Sequence, residues 1–296
     1  MQKEIDLKTN IDKAITHGGY AHRDDFISAC ILFAKGVVSI DRRNPTQEEL
    51  NDKSVLVFDV GREYDVEKLN FDHHQFPEDQ VPTCALSLIL KYFGLYESFT
   101  ECFNWLKETE YLDVKGPFYL AKEMGCKGDD IRSLTSAVED EVIQLFGKMN
   151  HVDNGMWIYK MMRSLGNSYI NRANEFKEVY DYLDVSDEVK VITLDDDLNL
   201  HALFYPTTYR WNPFIAFDEH IRRLKGKGYN VVVSISKDER IDGFRLYRVN
   251  DNPHIDFNLI SDKSELHFVL YNGFFAITKT LDFYSAVSHC VAAIKS

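Results

Sequence analysis

Hydrophobic positions fall into two textures along the chain. In the first sixty residues short apolar runs alternate with one helical stretch. Ala14-Ile15-Thr16 reads as a short strand. Phe26 to Lys35 reads as a helix, with Phe26, Ile27, Ala29, Cys30, Leu32 and Phe33 apolar. Val37-Val38-Ser39-Ile40 follows as a second strand, Pro45 to Leu50 as a short helix or turn, and Ser54 to Phe58 as a third strand. Val55-Leu56-Val57-Phe58 has no polar alternation, as a parallel strand buried on both faces requires. Strand, helix, strand, short helix, strand predicts a doubly wound α/β core.

The next stretch is helical. Helices are expected over Thr83 to Phe93, where Gly94 is the stop, then Ser98–Asp113, Pro117–Met124 and Asp129 to Lys148. A further helix runs from Met156 to about Leu183, with a break expected near Gly166-Asn167. Asp184 to Asp187 is the expected boundary, giving a domain of residues 1–184 and another of 187–296. Beyond it strands are expected over Val189–Leu194, Leu200–Tyr205, Tyr229–Ser236, Gly243–Val249 and His267–Tyr271. Helices are expected over Pro213–Lys225 and Leu281–Lys295. The pattern therefore predicts a parallel-sheet α/β domain followed by a smaller α+β domain.

Composition narrows the classes. The chain has 296 residues, 45% of them hydrophobic and 27% charged, which suits a globular protein. No apolar run approaches the ~18 residues that span a bilayer. The first residues, Met1-Gln2-Lys3-Glu4-Ile5-Asp6, lack the apolar core of a signal peptide, so the expected location is the cytoplasm. Five scattered cysteines with no Cys-x-x-Cys pair read as reduced thiols. A net charge of −13 argues against broad binding of a long nucleic-acid duplex, and leaves room for a short anionic substrate held by cations.

The candidate chemistry sits at the ends of the short strands. His17 follows the first strand, and His22, Asp24 and Asp25 follow within the turn Gly18-Gly19-Tyr20-Ala21 and the start of the next helix. Asp59 ends the third strand, where an unpaired carboxylate would be costly. Asp72-His73-His74 comes next, and Asp153 precedes the turn dipeptide Asn154-Gly155. Each has a plain alternative. Asp24 or Asp25 caps a helix, Asp153 forms a turn, and a single histidine is most often a satisfied core or surface group. Together they are too many for one structural zinc, which takes four ligands and usually includes cysteine. They suit two divalent ions ~3.5–4 Å apart that share a carboxylate.

These residues resemble the DHH phosphoesterase superfamily, and within it the Myg-type exonuclease branch. Thr16 to Asp25 is similar to that branch's Thr-His-Asn-Gly-x-Phe-His-x-Asp-Glu, with departures at Gly18, Ala21 and Asp25. Asp59-Val60-Gly61-Arg62-Glu63-Tyr64-Asp65 resembles its Asp-Val-Gly-Gly-x-Tyr-Asp. Asp72-His73-His74-Gln75 matches the motif that names the superfamily, and Asp153-Asn154-Gly155 a later one. Phe268 to Phe274, continuing to Lys279-Thr280, looks like its Phe-Val-His-x-x-Gly-Phe, with Leu270 where a histidine is usual.

The resemblance implies a phosphodiesterase with two divalent cations, Mn²⁺ first and Mg²⁺ as the alternative, and an active site in a cleft between two domains. His17 and His22 would bind one ion and Asp24 and His73 the other, with Asp59 and Asp153 shared. A bridging hydroxide would attack phosphorus, His74 would face the scissile phosphate as a catalytic donor, and Asp72 would orient a histidine. Substrate would be contacted by Asn272, Gly273 and Lys279 and by Arg222, Arg223 and Arg245, although residues 222–227 also read as a solvated helix end. The implied action is 3′–5′ exonucleolytic on RNA or short oligonucleotides. The alternatives are hydrolysis of a small phosphorylated molecule (a cyclic nucleotide, phosphoadenosine phosphate or pyrophosphate) and metal binding without turnover. No membrane partner is expected, and a homo-oligomer is left open.

Overall fold

A computed structural model describes residues 11–77, 79–133, 136–206, 214–238 and 240–295. The chain divides into two compact units, Met1–Glu175 and Phe176–Ser296. In the first, strand β1 (Lys13–Thr16) leads into helix α1 (Arg23–Ala34), β2 (Ser39–Arg42), the short α2 (Gln47–Leu50) and β3 (Val55–Phe58). Two-residue strands β4 (Tyr64–Asp65) and β5 (Asn70–Phe71) follow. Helices α3 (Ala85–Tyr92), α4 (Tyr96–Cys102), α5 (Trp105–Lys115), α6 (Pro117–Met124), α7 (Gly128–Ser133) and α8 (Ala137–Gly147) come next, then β6 (His151–Asp153) and the long α9 (Trp157–Val185).

The first sheet has the order β4-β5-β3-β1-β2-β6. Strands β5, β3, β1 and β2 are parallel, and β4 and β6 close the two edges antiparallel. Register aligns the carboxyl ends of the central strands: Ile15 lies opposite Val57, and Phe58 opposite Phe71. The next residues are therefore neighbours at one rim: His17, Asp59 and Asp72. Helix α1 is buried from Asp24 to Phe33, which explains its nearly uninterrupted apolar sequence.

The second unit holds β7 (Lys190–Asp195), β8 (Leu200–Tyr205), α10 (Phe214–Gly226), β9 (Val231–Lys237), β10 (Phe244–Arg248), β11 (Leu266–Val269), β12 (Phe275–Thr278) and α11 (Phe283–Ala292). Its sheet has the order β11-β12-β10-β9-β8-β7, antiparallel throughout except for the β8–β9 pair, which α10 connects. Leu200, Ala202, Val232, Ile235, Leu246, Ala276 and Cys290 belong to its core. The last turns of α9 belong to this unit, where the Arg223 guanidinium lies 4.4 Å from the Tyr180 ring centroid. The division thus falls within α9, earlier than the Asp184–Asp187 boundary expected from the change to a strand pattern.

Several elements differ from the sequence reading, for local reasons. No break occurs in α9 at Gly166. Its missing side chain instead lets the helix approach the Cys30 carbonyl, which a Cβ would meet at 2.0 Å. The single helix expected over Ser98–Asp113 is two, separated at Phe103, whose backbone is extended (φ −124°, ψ 101°). The helix expected over Asp129–Lys148 is resolved into α7 and α8, and Leu134 lies outside the described residues. Pro213, the expected start of α10, also lies outside them. Strands β4, β5 and β6 are too short to show alternation, and β12 lies between the strand expected over His267–Tyr271 and the helix expected from Leu281, where no element was expected. Among the described residues no helix is long and apolar enough to cross a membrane.

Candidate metal centre

Three parallel strands deliver the cluster. His17 follows β1, Asp59 follows β3, and Asp72-His73-His74 follows β5. Ligand sites in open α/β sheets lie at these carboxyl ends. Asp59 is buried to 2% exposure and holds a left-handed backbone (φ 55°), unusual for a residue with a side chain. Its amide donates to the Phe71 carbonyl, which ties the bend to β5. Asp24 and Asp25 enter from the first turn of α1. Asp25 accepts from the His22 amide at 2.7 Å, so the alternative reading of this acid as a cap holds in part.

Asp25 also anchors the turn. Its carboxylate lies 3.2 Å from the fully buried Arg42 guanidinium. Arg42 in turn donates to the carbonyls of Gly19, Tyr20 and Phe146 and stacks over the Phe146 ring. The loop that carries His17 and His22 is therefore fixed from beneath by an ion pair. Sequence reasoning did not single out Arg42. Its only signal is the alternation of Ile40 and Arg42 on one face of β2.

The remaining geometry is crowded with carboxylates. His17 Nε2 lies 3.2 Å from Asp25 and 3.3 Å from Asp59. His73 Nε2 lies 3.1 Å from Asp59 and 3.0 Å from Asp113, at the end of α5. One ring nitrogen carries at most one hydrogen, so neither can satisfy both of its carboxylates. Hydrogen bonds and charge from Asp25 and Asp59 push the His17 imidazole up to about 10. Burial works against protonation of His73, and Asp113 and Asp59 outweigh it, so that imidazole is also raised. Burial would raise the Asp59 carboxyl, and hydrogen bonds from His17 and His73 bring it below the usual carboxylate range.

Asp24 is the outlier. It is 1% exposed and neither carboxylate oxygen has a hydrogen-bond partner. Burial, then the charges of Asp59, Asp113 and Asp25, raise it well above the ordinary range. A buried orphan carboxylate among other acids is costly unless a cation neutralises it. The donor set of imidazoles and carboxylates suits Mn²⁺, Mg²⁺ or another borderline to hard divalent ion. The distances also suit one, because two ligands at about 2.1 Å from an ion and at right angles lie about 3.0 Å apart. Ion-binding atoms converge in three clusters among the described residues: Asp59 with Asp72, His73 and His74; His17 with His22 and Asp59; and His22 with Asp24 and Asp113.

Asp72 and His74 form a separate pair at the rim. Asp72 is buried and accepts from the amides of Arg62, His73 and His74 and from His74 Nδ1 at 2.6 Å. That hydrogen bond raises the half-exposed His74 imidazole and leaves its Nε2 side toward solvent. The structure thus has Asp72 orient His74. Two cavities flank the cluster. One, of about 360 Å³, is lined by His22, Asp24, Thr109 and Asp113; the other, of about 390 Å³, by His73, His74, Phe76 and Asp113.

Asp153 sits elsewhere. It ends β6, beyond β2 in the sheet, accepts from the Gly155 amide and lies 3.3 Å from His151 Nε2. None of the three clusters includes it. The substrate-side candidates lie in the second unit. Leu270 to Gly273 forms the tight turn between β11 and β12, with the Gly273 amide donating to the Leu270 carbonyl. Gly273 has φ 65°, and a Cβ there would meet Asp256 Oδ1 at 1.8 Å. Asn272 is exposed, and Lys279 Nζ donates to the Ser264 carbonyl. Arg222 and Arg223 both pair with Glu219, and Arg245 lies 3.8 Å from Asp238.

Residues 13–192 match the family MYG1_exonuc, described as an uncharacterised protein family (UPF0160). The chain belongs to this family. The matched span includes every member of the three clusters. No curated protein matches. Similar solved structures include a pGpG-specific phosphodiesterase, PggH, from Vibrio cholerae. It is 14% identical with a TM-score of 0.28, over 95% of this chain and 96% of that one. RecJ from Thermus thermophilus is also similar. Its Mn²⁺ complex is 13% identical with a TM-score of 0.29, over 95% of this chain and 51% of that one. Its Mg²⁺ complex is 13% identical with a TM-score of 0.30, over 95% and 49%. The chain spans about half the length of the RecJ chains. Likenesses this loose carry no argument about site or substrate.

Proposed function

We propose that this protein is a hydrolase of phosphoric ester bonds that uses two divalent cations, Mn²⁺ or alternatively Mg²⁺. Its proposed action is 3′–5′ exonucleolytic on RNA or short oligonucleotides in the cytoplasm. The observation that carries the reading is Asp24, a buried carboxylate with both oxygens unpartnered, clustered with His22 and Asp113 in a member of the Myg-type family. His17, His22 and Asp59 would hold one ion; Asp24, His73 and Asp59 would hold the other. When bound, such a pair supplies charge for phosphate oxygens and lowers the pKa of water.

The other roles belong to this chain's own side chains. Asp72 holds His74 through Nδ1, so Nε2 of the protonated ring can donate to a phosphate oxygen or to the leaving oxygen. Arg42, held by Asp25, keeps the His17–His22 loop in place without touching substrate. In the second unit, Asn272, the backbone at Gly273 and Lys279 are the proposed phosphate contacts. An ammonium has three donors, and Ser264 takes one of those on Lys279. Arg222, Arg223 and Arg245 already face carboxylates and rank behind them.

A second reading is favoured by two specific observations. The net charge is −13, and each cavity beside the cluster is about nucleotide-sized, at about 360 and 390 Å³. Both suit a small phosphorylated molecule or dinucleotide better than a long strand. Turnover of the Mn²⁺-loaded protein on oligoribonucleotides, cyclic dinucleotides, bis-p-nitrophenyl phosphate and pyrophosphate separates the readings. The first expects mononucleotides released stepwise from oligoribonucleotides. Turnover of pyrophosphate or cyclic dinucleotides alone would select the second, and turnover of none would sink both.

A further inference from the structure

We propose that the nucleobase beside the scissile phosphate stacks on Phe76, at the end of the turn that carries His74, and that the cavity there takes a nucleotide. The inference deepens the hydrolase reading above and rests on it for the placing of phosphate at His74.

Three observations converge on Phe76. The first is exposure. Phe58 and Phe71, in the strands that lead to the site, are fully buried, whereas Phe76 is half-buried and lines the cavity of about 390 Å³ that His74 also lines. The second is rigidity. The Phe76 amide donates to the His73 carbonyl at 2.9 Å, and Gln75 Nε2 donates to the Asp72 carbonyl at 2.7 Å, so the turn that presents His74 also sets Phe76. The Tyr64 ring packs on Phe76 with 5.8 Å between centroids and 87° between planes. One perpendicular contact cannot cover both faces of a ring, and an aromatic face at a cavity wall is a surface on which a base stacks. The third is the rest of the wall. Pro77 adds apolar surface, Gln80 and Thr83 add hydrogen-bonding groups, and Lys115 adds a cation. Apolar surface with a few polar groups and a positive charge, beside a donor for phosphate, has the composition of a nucleotide site. Every base has a π face, so stacking here favours a base over none and does not select a sequence.

Calorimetric titration of the full chain in the presence of Mn²⁺ tests this, with adenosine 5′-monophosphate compared with ribose 5-phosphate, which lacks the base. The wild type should bind the nucleotide more tightly than the sugar phosphate. Phe76→Ala should weaken the nucleotide at least about fivefold, the low end for loss of one base–aromatic stack, and leave ribose 5-phosphate unchanged. Phe76→Trp should bind the nucleotide like wild type, and Phe76→Leu, which keeps apolar bulk without a π face, should not. Should Phe76→Ala fail to fold, the contrast between Phe76→Trp and Phe76→Leu decides. Equal weakening of both ligands, wild-type affinity in Phe76→Leu, or a wild type with no preference for the nucleotide would overturn the inference and leave the hydrolase reading intact. Binding is read here without turnover. A wild type that binds the nucleotide through Phe76 and cleaves no phosphoester would therefore sink the hydrolase reading and leave the stacking site standing.

Discussion

Asp59 combines burial, a left-handed backbone and contacts to two histidines. Strain of this kind persists where the surroundings fix it, and it clusters at functional sites. Asp59→Ala and His73→Ala should each reduce hydrolysis to background while retaining the fold, as judged by circular dichroism. Wild-type rates in either purified variant would refute the assignment. His74 is a matter of pH. Asp72 raises its imidazole, so the donor form persists above the ordinary histidine value. Asp72→Asn removes that charge and should move the alkaline limb of the kcat/KM–pH profile to lower pH. His74→Ala should lower kcat about a hundredfold or more. A limb that stays in place in Asp72→Asn would show that Asp72 does not tune His74. Metal binding has its own proton signature. His17 without metal is raised to about 10, so at pH 7 it carries a proton that ligation must displace. Mn²⁺ binding should therefore release protons, with an apparent enthalpy that varies with buffer ionisation heat and an affinity that rises with pH. An enthalpy independent of buffer would contradict histidine ligation.

At the scale of elements, β1, β3 and β5 bring their carboxyl ends to one rim, and α1 closes it from Asp24 onward. The continuous apolar run of β3 and the burial of α1 were legible because uninterrupted hydrophobicity has few explanations. The His17–Asp25 and Asp72–His74 segments were legible because their residue types are rare together in loops. Asp113 was not: Leu112-Asp113-Val114 reads as an ordinary helix, and nothing local marks an acid whose partners are forty and ninety residues away. Strands of two residues leave no period to detect, and Asn154-Gly155 is a turn signal wherever Asp153 points. Gly166 shows the same limit, since only the fold reveals that its missing side chain admits the Cys30 carbonyl. Gly166→Ala should cost about 1–3 kcal/mol through overpacking. Denaturant melts of the two proteins check this, and an unchanged midpoint would mean that α9 shifts freely.

At the scale of the whole molecule, the three clusters of ion-binding side chains found among the described residues all lie in the first unit. An excess of thirteen negative charges keeps extended polyanions away unless cations are bound, so activity and metal content should rise together. The most direct test strips the protein of metal and titrates Mn²⁺ back while nucleotide release from a short oligoribonucleotide is followed. The account predicts no release from stripped protein, a rise that saturates near two equivalents as expected for a paired-metal site, and no recovery in Asp59→Ala. Equal activity in the stripped protein, or saturation with Asp59→Ala matching wild type, would contradict it.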